Sequence, residues 1–192
     1  MIIGITGGTG SGKTTLLKVL AENGFTVLDC DAIYHDLLKT DKTMLSAIED
    51  RFPGAVTGGV LDRKKLGSIV FADKDALLAL NKITHTAVKA EVLQHLGKAD
   101  AAAIDAIGLF EGGLAALCDL TVAVTAPEEM RIHRLMTRDG ISESYARARI
   151  AAQKPQCEFE ALCDYTLVND GTEKAFREKC LAFLLEQGIM KV

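Results

Sequence analysis

A chain of 192 residues, 48% of them hydrophobic and 25% charged, has the size and balance of one globular domain, or of one domain carrying an insertion. At this length about 70% of the unfolded surface is buried on folding, so a core needs no disulfide or metal staple. The formal net charge of −4 speaks against a general nucleic-acid binder, which carries a broad basic surface.

No apolar run reaches the ~20 residues that cross a bilayer, so no membrane partner is expected. The opening Met1-Ile2-Ile3-Gly4-Ile5 carries no basic leader. Cys30, Cys118, Cys157, Cys163 and Cys180 are scattered, with no Cys-x-x-Cys pair. They read as reduced packing residues of a cytoplasmic protein.

Short apolar runs alternate with segments of helical period, the pattern of βαβ units around a parallel sheet. Ile2–Thr6 reads as a buried strand and Thr14–Asn23 as the helix after it. Phe25–Leu28 is a second strand, Ala32–Leu38 a second helix. The long stretch that follows shows no convincing strand. It holds two helix-like runs, Arg63–Phe71 and Lys74–Leu96, the second keeping an apolar stripe through Leu77, Leu78, Ile83, Val88 and Val92. A break is expected within it, between Asn81 and Thr86. Ala102–Phe110 is a third strand, Leu120–Thr125 a fourth and Tyr165–Val168 a short fifth. Glu173–Gln187 is a closing helix, ended by Gly188.

Between the first strand and its helix, Gly7-Gly8-Thr9-Gly10-Ser11-Gly12-Lys13-Thr14 satisfies G-x-x-x-x-G-K-[ST] in the context the mechanism requires. Glycines let backbone N–H groups turn inward to cradle phosphate oxygens, and the helix N-terminus favours negative charge. Lys13 can reach the β- and γ-phosphates, and the Thr14 hydroxyl can ligate Mg²⁺. Gly8, Thr9, Gly10, Ser11, Gly12, Lys13, Thr14 and Thr15 are therefore the expected binding residues for ATP. The loop leaves the phosphate acceptor open, because switches, motors and small-molecule kinases share it.

Asp29-Cys30-Asp31 closes the second strand on the sheet edge where ligands bind. Asp31 there is either a general base for an attacking hydroxyl or the cap of the next helix. Asp29 projects to the same side and is expected to support the metal or its neighbour. Arg131, Arg134 and Arg138 lie at i, i+3 and i+7, along one helix face, and Arg147 and Arg149 follow a turn. They form either a lid over the nucleotide or a solvated face. His85 is either a structural histidine or part of the acceptor side, and Glu111 follows the third strand at the ligand edge.

Taken together, these segments resemble the dephospho-coenzyme A kinase family over nearly the whole chain. The resemblance rests on the phosphate loop, Leu28-Asp29-Cys30-Asp31-Ala32-Ile33, Leu61-Asp62-Arg63, Leu80-Asn81-Lys82-Ile83-Thr84-His85 and Leu109-Phe110-Glu111. It continues through Arg134-Leu135-Met136-Thr137-Arg138-Asp139, Arg149-Ile150-Ala151-Ala152-Gln153 and Val168-Asn169-Asp170-Gly171. Thr86 follows the histidine where the family usually carries proline, and Gly108 precedes the Leu-Phe pair in a segment that usually carries one.

The resemblance implies an α/β, P-loop NTPase three-layer fold with a five-stranded, mainly parallel sheet. Residues 1–38 and 100–192 would form the nucleotide-binding core, 40–98 a helical substrate-binding insertion and 131–153 a helical lid. It implies Asp31 as catalytic base, with Lys13, Arg134 and Arg138 acting on the transferred phosphoryl. Asp29, Arg63, His85 and Glu111 would meet dephospho-coenzyme A, and Asn169 would lie near the adenine of ATP. Magnesium is the implied metal, held by Thr14. A monomer or weak homo-oligomer would suffice.

Overall fold

Strands covered on both faces read as near-continuous apolar runs, as Ile2–Thr6, Ala102–Asp105 and Leu120–Thr125 do, and these pair with the more exposed edge strands Thr26–Asp29 and Tyr165–Val168 into one sheet in the computed structural model, which describes residues 1–190. The chain opens with β1 (Ile2–Thr6), α1 (Lys13–Glu22), β2 (Thr26–Asp29), α2 (Cys30–Thr40) and α3 (Lys42–Arg51). A hairpin of β3 (Val56–Thr57) and β4 (Val60–Leu61) leads to α4 (Arg63–Val70) and α5 (Lys74–Leu96). Then come β5 (Ala102–Asp105), β6 (Leu120–Thr125), α6 (Glu128–Asp139), α7 (Glu143–Ala151), α8 (Gln156–Leu162), β7 (Tyr165–Val168) and α9 (Glu173–Glu186).

The sheet order is β2-β5-β1-β6-β7, and every pairing is parallel. After β5 the chain crosses from one side of β1 to the other, so the carboxyl end of β1 is a topological switch point. Crevices for ligands open at such points.

Two layers of helices cover the sheet. On one face Leu16, Val19 and Leu20 of α1 and Phe176, Cys180, Phe183 and Leu184 of α9 pack on Ile3, Ile5, Val122 and Val124. On the other, the helices α2 to α5 share a core with Leu28, Ala102 and Ile104. The helices α6 and α7 carry a small core of their own around Ile132, Leu135, Ala146 and Ile150. Among the described residues no helix is long and apolar enough to cross a membrane.

The structure corrects three expectations. The stretch between the second and third strands does hold strands, the pair β3 and β4, joined by Gly58-Gly59, whose φ of 59° and 80° match a two-residue hairpin turn. Two residues per strand are too few to show alternation in sequence. The helix α5 runs unbroken through Asn81–Thr86. Thr84 Oγ1 donates to the Leu80 carbonyl at 3.1 Å and Thr86 Oγ1 to the Lys82 carbonyl at 2.7 Å, so both hydroxyls are satisfied within the helix rather than breaking it. The third strand stops at Asp105, not Phe110. Its apolar continuation is a tight turn closed by the Gly112 N–H on the Gly108 carbonyl at 2.8 Å. Leu109 and Leu114 stay buried in that turn, which explains why the run reads as strand.

Candidate active site

The phosphate loop is shaped by what holds its carbonyls. Arg131 Nε donates to the Thr9 carbonyl at 2.9 Å, Arg134 Nη1 to the Gly10 and Ser11 carbonyls at 3.3 Å, and Asn169 Nδ2 to the Ser11 carbonyl at 2.9 Å. In a trans peptide the C=O and the following N–H point opposite ways. Three carbonyls drawn outward therefore leave the N–H groups of Gly10 and Gly12 on the cavity side, joined by the orphan N–H groups that open α1 at Lys13 and Thr14. The Ser11 N–H is instead bonded to the Gly8 carbonyl at 3.2 Å.

Gly12 is required twice over. Its φ is 97°, and a Cβ there would fall 2.2 Å from Asn169 Nδ2. The Thr9 N–H is held by Gln153 Oε1 at 2.7 Å, which ties the segment just past α7 to the loop tip. Lys13 Nζ rests on the Gly7 carbonyl at 3.0 Å.

The loop opens into a cavity of about 730 Å³ lined by Gly8 through Thr14, with Asp31, Asp105, His133, Arg134, Arg138 and Arg149 on its other walls. Basic side chains and free N–H groups make it an anion site. Thr15 is not among its lining residues and donates its N–H to the Gly12 carbonyl at 3.0 Å. Arg138 lies exposed at the rim, engaged by Asp139 through Nε at 2.6 Å and Nη2 at 3.0 Å. Hydrogen bonds from Arg138 and Arg149 hold the Asp139 carboxyl at about 2. The three arginines do not share one task, then: Arg131 and Arg134 grip the loop, and Arg138 waits at the mouth.

Where Asp29 and Asp31 fall is settled by where α2 begins. Asp29 is its N-cap, accepting from the N–H groups of Asp31 and Ala32 at 2.9 and 3.0 Å. The cap that the sequence offered to Asp31 is thus taken by Asp29, through its Oδ1. Asp31, in the first turn of the helix, lines the phosphate cavity and also a second cavity of about 260 Å³. That second cavity is walled by Tyr34, Leu80, Asn81, Thr84, His85 and Val88 from the helical side and by Ala106 to Gly108 from the sheet.

His85 lies half-buried there, and burial lowers its pKa. A wider groove beyond it is lined by His85, Lys89 and Glu111 among others. Glu111 forms an ion pair with Lys154, just past α7. Arg63 stands apart, at the start of α4 beside His35 at 3.4 Å. It borders a shallow pocket that meets the second cavity only through Tyr34 and Leu80.

Asn169 and Asp105 take places that the sequence does not show. Asn169, expected near an adenine, is 4% exposed and does not line the cavity. Its amide is used on the Ser11 carbonyl and on Arg134 Nη2, which it accepts at 2.9 Å. Asp105 falls inside the longer strand that the apolar run Ala102–Phe110 suggests. It ends β5 and faces the cavity, its Oδ1 buried with no hydrogen-bond partner among the described residues, and burial pushes its pKa up to about 6. A carboxylate inside the apolar run Ala101–Ile107 was the available clue, since buried charge marks function.

Orphaned Asp105 and exposed Thr14 fit a magnesium ion, which binds through one or two protein oxygens together with phosphates. A cradle for a phosphate chain on one wall, with an uncommitted carboxylate facing a second cavity on the other, serves a reaction between a nucleotide and a hydroxyl-bearing acceptor. That is the design of a P-loop kinase.

The comparisons with known proteins narrow the class. The family profile described as Dephospho-CoA kinase matches residues 1–175, and the chain belongs to that family. A dephospho-CoA kinase from Carboxydothermus hydrogenoformans is 38% identical over 190 residues, covering 95% of this chain and 92% of its own. One from Streptomyces avermitilis is 40% identical over 173 residues, covering 88% and 84%. The solved dephospho-CoA kinase of Campylobacter jejuni superposes with a TM-score of 0.67 at 29% identity, covering 98% of both chains.

The capping assignment has a direct test. Asp29→Ala should lower stability by about 1 kcal/mol, the usual cost of losing an N-cap, whereas Asp31→Ala should leave the urea midpoint within error of the parent. Equal losses in the two variants would contradict the geometry.

Proposed function

We propose that this chain transfers the γ-phosphoryl of ATP to the ribose 3′-hydroxyl of dephospho-coenzyme A, giving coenzyme A and ADP. The observation that carries this reading is the position of Asp31. It borders both the phosphate cavity and the second cavity, so an acceptor hydroxyl brought to it from one side meets a phosphoryl held on the other.

Asp31 orients that hydroxyl and takes its proton as the new P–O bond forms, and the leaving ADP oxygen stays with the loop. Free N–H groups at Gly10, Gly12, Lys13 and Thr14 hold the donor's phosphates, with the Lys13 ammonium beside them. Arg134, fixed between the loop and Asn169, keeps positive charge next to the transferred group without reorganising, and this is the form in which electrostatic stabilisation is strongest. Arg138 would join it by leaving Asp139, an exchange between exposed groups that costs little. Magnesium, when bound, neutralises charge on the phosphates, and Thr14 and Asp105 are the residues that would hold it.

His85, Asn81 and Tyr34 line the acceptor side in this reading. Glu111 lies further along the groove, and Arg63 at the edge of the helical layer. Residues 40–98 thus act as the acceptor-binding part, 131–153 as the lid, and residues 1–38 with 100–192 as the donor-binding core. Every group invoked comes from a single chain, so the reaction needs no second copy. The product is an intracellular cofactor, in keeping with a cytoplasmic enzyme.

Purified protein incubated with ATP and Mg²⁺ should consume ATP with dephospho-coenzyme A and yield coenzyme A. Adenosine or pantetheine should support little turnover, and a preference for either of them would overturn the assignment of the acceptor. Asp31→Asn should lower kcat at least about a hundredfold, as loss of a general base does, with little change in melting temperature; near-normal kcat would remove Asp31 from the chemistry. Asp105→Asn removes a carboxylate that is ionised at a net cost above about pH 6. It should melt no lower than the parent at pH 8, yet need several-fold more Mg²⁺ for half-maximal rate. An unchanged Mg²⁺ requirement would separate Asp105 from the metal.

A further inference from the structure

The first turn of α6 holds a cation where a fold rarely tolerates one. Arg131 is 6% exposed. Its Nε serves the Thr9 carbonyl at 2.9 Å, but its Nη2 is buried with no hydrogen-bond partner among the described residues. That nitrogen fills the space a side chain at Gly8 would need, since a Cβ there would fall 2.4 Å from it. The one acid that bears on the guanidinium is Glu128, which is exposed and already shared with Arg147 at 3.4 Å.

A buried guanidinium lacking a paired anion is among the costliest groups to desolvate. Holding Thr9 would not require it, because a neutral amide could donate the same hydrogen bond. The other buried side-chain atoms without partners, Ser11 Oγ, Asp105 Oδ1 and Thr125 Oγ1, lie in the loop or at the carboxyl ends of the strands beside it. The polar groups left unsatisfied thus gather around one place, the place where phosphates sit.

We propose that Arg131 is a buried counter-charge for the bound nucleotide's phosphates, acting through the loop from its protein side rather than from the lid. The inference rests on the phosphate-loop reading of residues 7–14 and adds a positioning residue to it. Behind the loop, away from solvent, the charge acts across a low-dielectric path that salt screens little. Without nucleotide the fold carries the cost of the unpaired cation, and binding relieves it. A purely structural arginine would behave in the opposite way, stabilising the ligand-free protein and leaving affinity alone.

The test measures two quantities on Arg131→Met and Arg131→Gln: the melting temperature without ligand and the Kd for ADP by calorimetry, at low and at high salt. Both variants should melt at or above the parent temperature. Both should bind ADP at least about tenfold more weakly, which corresponds to roughly 1.4 kcal/mol, with the loss persisting at high salt. Arg131→Gln keeps a donor for Thr9, so its loss of affinity isolates the charge from the hydrogen bond. If the Met variant fails to fold, the Gln variant decides by the same two measurements.

ADP affinity within about twofold of the parent in Arg131→Gln would overturn the proposal. So would a melting temperature several degrees lower in that variant. Failure of the parent protein itself to bind ADP would instead sink the phosphate-loop reading, and that is seen before any variant is made.

Discussion

Three successive carbonyls of a short glycine loop, those of Thr9, Gly10 and Ser11, are held away from the cavity by Arg131, Arg134 and Asn169. Peptide planarity does the rest: with the carbonyls committed outward, the N–H groups of Gly10 and Gly12 face the cavity, while that of Ser11 is taken by the Gly8 carbonyl. A loop that had to reorganise for each nucleotide would spend binding energy on doing so. A loop already pinned in the receptive form does not, and preorganised dipoles of this kind are the principal source of electrostatic catalysis. The pins come from α6 and from the turn after β7, so the core that packs these elements on the sheet also sets the shape of the loop.

The second cavity depends on a smaller event, the choice of the residue that begins α2. Because Asp29 takes the cap, Asp31 is turned into the first helical turn with its carboxylate unspent. The same strand end brings Asp105 alongside, since Asp29 and Asp105 are register partners in adjacent parallel strands. One sheet edge thus presents two carboxylates, Asp31 and Asp105, to the cavity that the phosphate loop and Lys13 also line. The helical layer from α2 to α5 completes the wall of the second cavity with Tyr34, Leu80 and His85, which joins that cavity to the core of the fold.

What could be read from the sequence follows the range of the interactions involved. The phosphate loop was legible because its chemistry is contiguous: glycines, lysine and threonine in fixed register between a strand and a helix. The parallel sheet was legible because strands such as Leu120–Thr125 are buried on both faces. What holds the loop was not, since Arg131 lies 122 residues from Thr9 and Asn169 lies 158 from Ser11, and no periodicity encodes such pairings. The arginine stripe was visible as spacing, yet spacing could not show that Arg131 and Arg134 turn to the loop while Arg138 pairs with Asp139. Asp105 was hidden by its neighbours, because an apolar run reads as strand to its end and the turn at Gly108 to Gly113 is closed by contacts that only the fold reveals.

The central claim is that residues 7–14 form a preset cradle whose charge serves phosphate and not the core. Replacing Lys13 by alanine, with turnover on dephospho-coenzyme A and melting temperature measured on the same preparation, tests it most directly. Turnover should fall far beyond tenfold with the melting temperature unchanged. Turnover within tenfold of the parent, a difference of only about 1.4 kcal/mol, would contradict it.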